Sequence, residues 1–191
     1  MKKIIYPAIA PFIIIVLSVA VLWAGYNSLS KPLPKMGQIT SFELTNSLDK
    51  KVSVQNLNGK VWVANFVFTR CKGPCPLLTK KMAKLQRKFT AKHGLNVVTI
   101  TVDPEFDTPK VLHSYAQEFQ ADESTWHFLT GKRKQIEDLM LNQFKLGFAE
   151  DIIFHSDRMV LVDKESNIRG FYQGTSVKDY KKLMNDIKKI L

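Results

Sequence analysis

Apolar residues along this chain fall into short continuous runs and into longer stretches with helical spacing. The segment "VWVANFVF" (61–68) is apolar almost throughout and rich in β-forming residues. Such a run predicts a central strand that is buried on both faces. The segments "LNVVTITVD" (95–103) and "TWHFLTG" (125–131) predict two further strands.

Stretches with helical spacing follow these strands. In "PLLTKKMAKLQRKFTAKHG" (76–94), apolar residues recur every three or four positions and Gly94 ends the pattern. In "DTPKVLHSYAQEF" (107–119), Thr108 can cap a helix whose first turn holds a proline. The segment "KRKQIEDLMLNQF" (132–144) predicts a third helix.

The two ends of this pattern contain hairpins and a closing helix. "FELTNSLDKKVSVQNLNGK" (42–60) predicts a small hairpin with "LNGK" as a turn, and "RMVLVDKESNIRGFYQG" (158–174) predicts a strand pair about a turn near Glu165. "SVKDYKKLMNDIKKIL" (176–191) predicts an amphipathic closing helix. The order of elements predicts an α/β fold, a thioredoxin-like three-layer sandwich.

The N-terminus has a different pattern. From Ile4 to Gly25 there are 22 residues without a charge, preceded by Lys2 and Lys3. A bilayer span needs about 20 apolar residues, and the flanking lysines favour a cytoplasmic N-terminus. The sequence therefore predicts a single-pass transmembrane anchor in the cytoplasmic (inner) membrane, with the soluble domain on the extracytoplasmic (periplasmic) side. A cleaved signal peptide is the alternative.

These patterns divide the chain into three parts. Residues 1–26 are predicted to form the N-terminal transmembrane anchor, residues 27–38 a linker that contains proline, serine and lysine, and residues 39–191 the thioredoxin-like domain. The 191 residues carry 28 basic and 17 acidic side chains, a net charge of +11. The lysines are scattered and are not interleaved with aromatic residues, so no nucleic acid is predicted as a partner. The strongest local excess, "KKLMNDIKK" (181–189), is interpreted as the solvated face of a helix.

The chain has two cysteines, Cys71 and Cys75, between the predicted central strand and its helix. In an exported domain a structural disulfide is the simplest interpretation, but a loop this short restrains the unfolded chain little. The helix N-terminus, Arg70 and Lys72 should lower the pKa of at least one thiol. A thiolate pair at a strand end can perform redox chemistry or bind a soft metal. Together with an imidazole it suits Cu(I), and a closed zinc site would need more ligands.

Several other residues are candidates for chemistry. Asp103 and Asp107 could form a metal or acid–base pair, but their positions favour a strand end and a helix cap, with at most a secondary or partner-docking role. Met82 and Met159 are soft donors whose spacing assigns them to the core. Of the four histidines, the local sequence pattern modestly favours His155 as a metal ligand. His155 lies in a predicted loop that enters a strand.

Four segments together resemble one family. "FVFTRCKGPCPLLTKKM" (66–82), "TVDPEFDTP" (101–109), "WHFLTG" (126–131) and "FHSDRMVLVDKESNIRGFYQG" (154–174) are similar, in order, to the blocks of the SCO/SenC family. Its members are membrane-anchored copper chaperones with a thioredoxin-like fold, linked to assembly of the binuclear copper site of cytochrome c oxidase. The resemblance extends from about residue 42 to the C-terminus.

The resemblance implies a copper site and a partner. Copper, as Cu(I) or Cu(II), would be bound by Cys71, Cys75 and His155, and delivered to the copper-site subunit of cytochrome c oxidase or to another cuproprotein. Such a metallochaperone is not an enzyme. The alternative is a membrane-bound thiol–disulfide oxidoreductase that uses Cys71 and Cys75 as its redox-active pair to reduce the cysteines of a copper-site partner. A third hypothesis, a peroxidase with one reactive cysteine, is supported only by analogy with other proteins of this fold.

Overall fold

The computed structural model of the protein describes residues 9–29, 32–146 and 157–191. Eight strands lie in these ranges: β1 (Gly37–Gln38), β2 (Glu43–Asn46), β3 (Lys51–Ser53), β4 (Trp62–Val67), β5 (Asn96–Thr101), β6 (Trp126–Thr130), β7 (Arg158–Val162) and β8 (Asn167–Gln173). The same ranges contain six α-helices and one π-helical turn: α1 (Ile9–Leu29), α2 (Val54–Leu57), α3 (Cys75–His93), α4 (Pro109–Glu118), α5 (Arg133–Asp138), the π-helical turn (Leu139–Gln143) and α6 (Val177–Ile190).

The chain divides into two compact units, Met1–Leu33 and Pro34–Leu191. The first unit contains α1. Over the described ranges, no helix combines the length and the apolarity that crossing a membrane requires.

All the strands of the second unit join one sheet in the order β1-β8-β7-β4-β5-β6-β2-β3. The three central strands β4, β5 and β6 are parallel, β7 is antiparallel to β4, and β8 is antiparallel to β7. Parallel strands need crossover helices, and α3 and α4 supply them. The carboxyl ends of β4, β5 and β6 therefore meet at one edge of the sheet, where open α/β sheets form their ligand sites.

The central strands confirm the apolar pattern of the sequence. Every residue of β4 and β5 is buried. Alternate β4 residues point to opposite faces of the sheet, so Trp62 and Phe66 pack with Phe144 after the π-helical turn, whereas Val67 packs with Cys75 at the start of α3. The sheet thus has a helical layer on each face.

The helices α3, α4 and α6 share one of these layers. The Thr79 hydroxyl of α3 lies 2.9 Å from the Tyr115 hydroxyl of α4, and the Tyr180 hydroxyl of α6 donates to the Lys81 carbonyl of α3 at 3.2 Å. On α3 the predicted apolar stripe is buried, and Gly94 takes the positive φ of +68° at its end. The predicted three layers are therefore present.

Two local predictions need adjustment. The first hairpin turns at Ser47–Lys50, and "LNGK" instead contains the last residue of the short helix α2 and the three residues after it. Gly37 and Gln38, within the stretch that the sequence assigns to a linker, pair with β8 at the edge of the sheet. Two-residue edge strands carry too few side chains for a periodic signal, so pattern alone does not detect them.

Candidate metal and thiol site

The two cysteines lie where the central strand β4 passes into α3. Cys71 is in the connecting loop, and its amide donates to the Phe68 carbonyl at 3.2 Å. Cys75 is the first residue of α3, and the Leu78 amide donates to the Pro74 carbonyl at 3.0 Å to close the first turn. The predicted position of the pair, between a central strand and a helix N-terminus, is therefore confirmed.

Both thiols are free and shielded from solvent. Cys71 is 6% exposed and Cys75 1%, and the two side chains are close enough to hydrogen-bond to each other. Burial, followed by the hydrogen bond and the neighbouring charge of Cys71, raises the pKa of Cys75 to about 12. The sequence predicted a lowered pKa for at least one thiol, and Cys75 is not that thiol, because desolvation outweighs the effect of the helix N-terminus.

Arg70, one of the two cations expected to lower the pKa of a thiol, forms an ion pair with a carboxylate. The Arg70 guanidinium pairs with the Asp103 carboxylate at 2.6 Å and stacks 4.1 Å over the ring of Phe106. Arg70 and Asp103, with Phe68, Val102 and Arg133, line a cavity of about 290 Å³ at the carboxyl ends of the parallel strands. The Asp103 carboxylate thus neutralises the charge of the Arg70 guanidinium. This electrostatic contact is compatible with the secondary role predicted for Asp103.

Asp107 has a different role from the helix cap that the sequence predicted. Thr108 caps α4, with its hydroxyl accepting from the Val111 amide. The Asp107 carboxylate is fully buried and accepts from the Thr69 amide at 3.0 Å, from the Thr69 hydroxyl at 2.5 Å and from the Thr101 hydroxyl at 2.5 Å. It therefore holds the start of the cysteine loop against the end of β5.

Tyr115 lies behind the cysteines and was not predicted to belong to the site. Its hydroxyl is 2.9 Å from the Thr79 hydroxyl, which in turn donates to the Cys75 carbonyl at 2.9 Å. Burial raises the pKa of Tyr115 to about 12, and the charges of Cys75 and Cys71 act in the same direction. The helical spacing of Tyr115 identified it as a core residue, but nothing in that spacing places it next to a thiol.

The third predicted ligand, His155, lies outside the described residues. Within the ranges that are described, no cluster of three or more His, Cys, Asp or Glu side chains is arranged to hold a metal ion. His113 pairs with Glu123 at 2.7 Å, and His127 is partly buried, which lowers its pKa. Met82 and Met159 are fully buried core residues, as predicted.

The described chain resumes at Asp157, close to α3. The Asp157 carbonyl accepts from the Gly174 amide at 2.6 Å, and the Asp157 carboxylate accepts from the Thr175 hydroxyl at 2.7 Å. A Cβ atom added at Gly174 would lie 2.9 Å from Cγ of Leu78, so this junction sits against the first turn of α3. The start of β7 and the first turn of α3 are therefore neighbours.

Comparisons with known proteins agree with this architecture. The family model described as SCO1/SenC matches residues 32–191. The SCO1 protein homolog of Bacillus subtilis is 32% identical over 157 residues, which cover 79% of this chain and 81% of that protein. The predicted resemblance is therefore confirmed.

Solved structures confirm the mixed α/β, thioredoxin-like fold. BsSco, described as a member of the Sco family of cytochrome c oxidase assembly proteins with a disulfide switch, superimposes with a TM-score of 0.72 at 30% identity, covering 84% of this chain and 98% of its own. ScoI of Arabidopsis thaliana, solved with copper bound, gives a TM-score of 0.64 at 29% identity, covering 79% of this chain and 96% of its own.

Proposed function

The chain belongs to the SCO1/SenC family, and from this premise we propose that it is a membrane-tethered copper chaperone. It binds one copper ion through Cys71, Cys75 and His155 and delivers it to the binuclear copper site of cytochrome c oxidase or to another cuproprotein. The observation that carries the proposal is the pair of free, buried and adjacent thiols at the carboxyl end of the central strand.

The donor chemistry of this pair fits copper. Thiolate sulfur is a soft ligand that selects Cu(I), and imidazole is a common partner. The loop is held by Asp107 at one end and by the first turn of α3 at the other, so the two sulfur atoms need little reorganisation to bind one ion. A site with two thiolates and one further donor leaves copper open to exchange with an acceptor, as a chaperone requires.

Chain connectivity supports His155 as the third donor. His155 precedes Asp157 by two residues, so their Cα atoms lie within about 7 Å of each other. Asp157 is itself fixed beside Gly174, whose position adjoins Leu78 in the first turn of α3. The covalent chain therefore permits His155 to reach the helix that begins at Cys75.

The membrane tether rests on the N-terminal sequence. Ile4 to Gly25 contain no charge, and Lys2 and Lys3 precede them. Large apolar side chains of α1, such as Leu22 and Trp23, are 72% and 68% exposed, which suits an environment of lipid. We place this segment in the inner membrane and the thioredoxin-like domain on its extracytoplasmic side.

Copper retained against a competing chelator tests the ligand set. The reduced chain should bind one copper ion, and Cys71→Ser or Cys75→Ser should weaken retention by roughly a hundredfold or more, because a hydroxyl is a poor donor for Cu(I). His155→Ala should weaken retention and change the spectrum of the bound ion while leaving both thiols able to oxidise. His113→Ala is the matched control, since His113 pairs with Glu123. Equal retention and identical spectra for wild type and His155→Ala would remove His155 from the site.

A thiol–disulfide oxidoreductase is the second candidate, favoured by the contact between the two thiols. In that case the Cys71–Cys75 dithiol would pass two electrons to a partner's disulfide and itself become a disulfide. The same set of variants separates the two functions. An oxidoreductase would show weak copper retention, exchange that is insensitive to His155→Ala, and loss of exchange in either cysteine variant.

A further inference from the structure

The positive charge of this protein is concentrated on two helices. α3 contains six lysine and arginine residues and no acidic residue, and α6 contains five lysines and two aspartates. These 33 residues carry a net charge of +9, so the other 158 residues contribute only +2 of the total of +11. The strongly basic character of the chain is therefore a property of one helical layer.

The two helices lie side by side. Tyr180 of α6 donates to the Lys81 carbonyl of α3, and the Lys88 ammonium of α3 reaches the Met184 sulfur of α6 at 4.0 Å. Exposed basic side chains cover the outer surface of this pair, which we name the α3–α6 basic face: Lys80, Lys84, Arg87, Lys88, Lys178, Lys181 and Lys188.

Acidic side chains of the two helices do not neutralise this face. Asp186 is buried beneath it, where it accepts from the Tyr172 hydroxyl and pairs with Lys182 and Lys189. Asp179 accepts from the Gln173 amide at the start of α6. Over the described part of the chain, the seven residues of the basic face form no ion pair with a carboxylate.

We propose that the α3–α6 basic face binds the anionic surface of a phospholipid bilayer. The face extends about 12 Å along α3, from Lys80 to Lys88, and about 15 Å along α6, from Lys178 to Lys188. Basic clusters of this size are attracted to anionic headgroups. The inference rests on the proposed membrane tether, which would keep the domain next to such a surface. Every residue of the face is Lys or Arg, so the contact that we propose is electrostatic and reversible.

The position of the face relative to the cysteines favours a membrane over an acidic protein partner. Cys75 begins α3, whereas the basic residues of that helix start at its second turn and continue along its side. A protein that receives metal from the thiols must approach the end of the sheet, and it would leave most of the basic face uncovered. A bilayer against the face instead leaves the cysteine end accessible from the side.

Lysine acylation of the full chain in nanodiscs tests the proposal. Discs of phosphatidylcholine alone are compared with discs that also contain phosphatidylglycerol. With the anionic lipid, Lys84, Lys88, Lys181 and Lys188 should become protected several-fold, and added salt should reverse the protection. Lys50 and Lys60, which are exposed outside these two helices, should react equally in both discs.

Charge reversal gives the matched variants. Lys84→Glu/Lys181→Glu should abolish the lipid-dependent protection of Lys88 and Lys188 in the anionic discs. Lys50→Glu/Lys60→Glu changes the net charge equally and should leave that protection unchanged. Copper retention should be the same in all of these variants.

The outcomes separate this proposal from the proposed function. Equal acylation of the basic face in both discs would overturn the proposal, and protection that appears only with an acidic protein would assign the face to such a partner instead. If the tether is wrong, the chain will leave neutral discs but will still bind anionic ones. If the copper assignment is wrong, the chelator assay will fail while the lipid-dependent protection remains.

Discussion

The two ends of the sheet are each organised by a buried carboxylate, but by different means. At the end that carries the cysteines, Asp107 accepts hydrogen bonds from Thr69 and Thr101, of which Thr69 is 38 residues away. At the opposite end, Asp163 accepts from the amides of Glu165 and Asn167 and pairs with Arg169 at 2.5 Å, all within six residues.

The difference concerns both charge and distance along the chain. Asp163 shapes its own turn and has a cationic partner, so most of that structure is local. Asp107 receives only neutral donors and joins two separate segments, the cysteine loop and the end of β5. A local turn can form early and independently, whereas the cysteine loop reaches its shape only when the sheet is assembled. The following predictions test this distinction, beginning with the largest expected effect.

Asp107→Ala should destabilise the protein by about 3 kcal/mol, because it leaves the Thr69 amide, the partly buried Thr69 hydroxyl and the buried Thr101 hydroxyl without their acceptor. Urea denaturation measures this loss. In the absence of urea, the thiols of the reduced chain should also react faster with an alkylating reagent, by roughly fivefold or more, because the loop opens locally.

Asp163→Ala is the control for that variant, since it removes a buried carboxylate that also accepts several hydrogen bonds, but from the other end and with local partners. We expect a loss of stability of about the same size and little change in thiol reactivity at equal stability. Equal acceleration of alkylation in both variants would show that the cysteine loop opens only with the whole domain.

Gly174→Ala should cost about 2 kcal/mol, because its Cβ would lie 2.7 Å from the Asp157 carbonyl oxygen and 2.9 Å from Leu78 Cγ. Gly59→Ala, at the opposite end, meets no atom within 4 Å and has only the strain of a φ of +76°, about 1 kcal/mol. Thermal or urea unfolding compares the two. A smaller effect at Gly174 than at Gly59 would mean that the junction of Asp157 with α3 is not tightly packed.

Asp163→Asn should reduce the acid sensitivity of the fold. Burial favours a higher pKa for Asp163, but hydrogen bonds from Asn167 and the Arg169 guanidinium reverse this and hold the pKa below its usual value. A carboxyl with a lowered folded pKa stabilises the protein above its unfolded pKa of about 4, and this stability is lost as the pH falls through the folded value.

Unfolding free energies measured from pH 6 down to acid values check this prediction. Wild type should lose stability more steeply below about pH 4 than Asp163→Asn, so that the two curves converge in acid. Arg169→Gln should make the wild-type curve shallower in the same range. If the unfolding free energies of wild type and Asp163→Asn change with pH in parallel, the lowered pKa of Asp163 does not contribute to stability.

Arg70→Gln should have the smallest effect, less than about 1 kcal/mol, because the ion pair with Asp103 is partly solvated and Arg70 is 57% exposed. Arg133→Gln, which removes the exposed pair with Glu105, is a matched control with an equally small expected effect. A loss above 2 kcal/mol for Arg70→Gln in urea would show that the stack on Phe106 is a structural part of the cysteine loop.

The sequence alone was sufficient for features that arise from neighbouring residues. The continuous apolar run of β4 predicted a strand buried on both faces, and the spacing in α3 predicted its buried stripe and its end at Gly94. Both follow from periods of two and 3.6 residues, which are local properties of the backbone. The position of Cys71 and Cys75 between these two elements followed for the same reason.

Only the tertiary structure decided how those elements meet. Asp107 had the local pattern of a cap, but the sheet directs it to Thr69. The helix N-terminus at Cys75 favoured an activated thiol there, but burial raises the pKa of Cys75. The lysines of α6 had the pattern of one solvated helix face, yet packing places them beside the basic residues of α3. Each of these outcomes depends on atoms that are distant along the chain and close in space, and periodicity contains no information about such pairs.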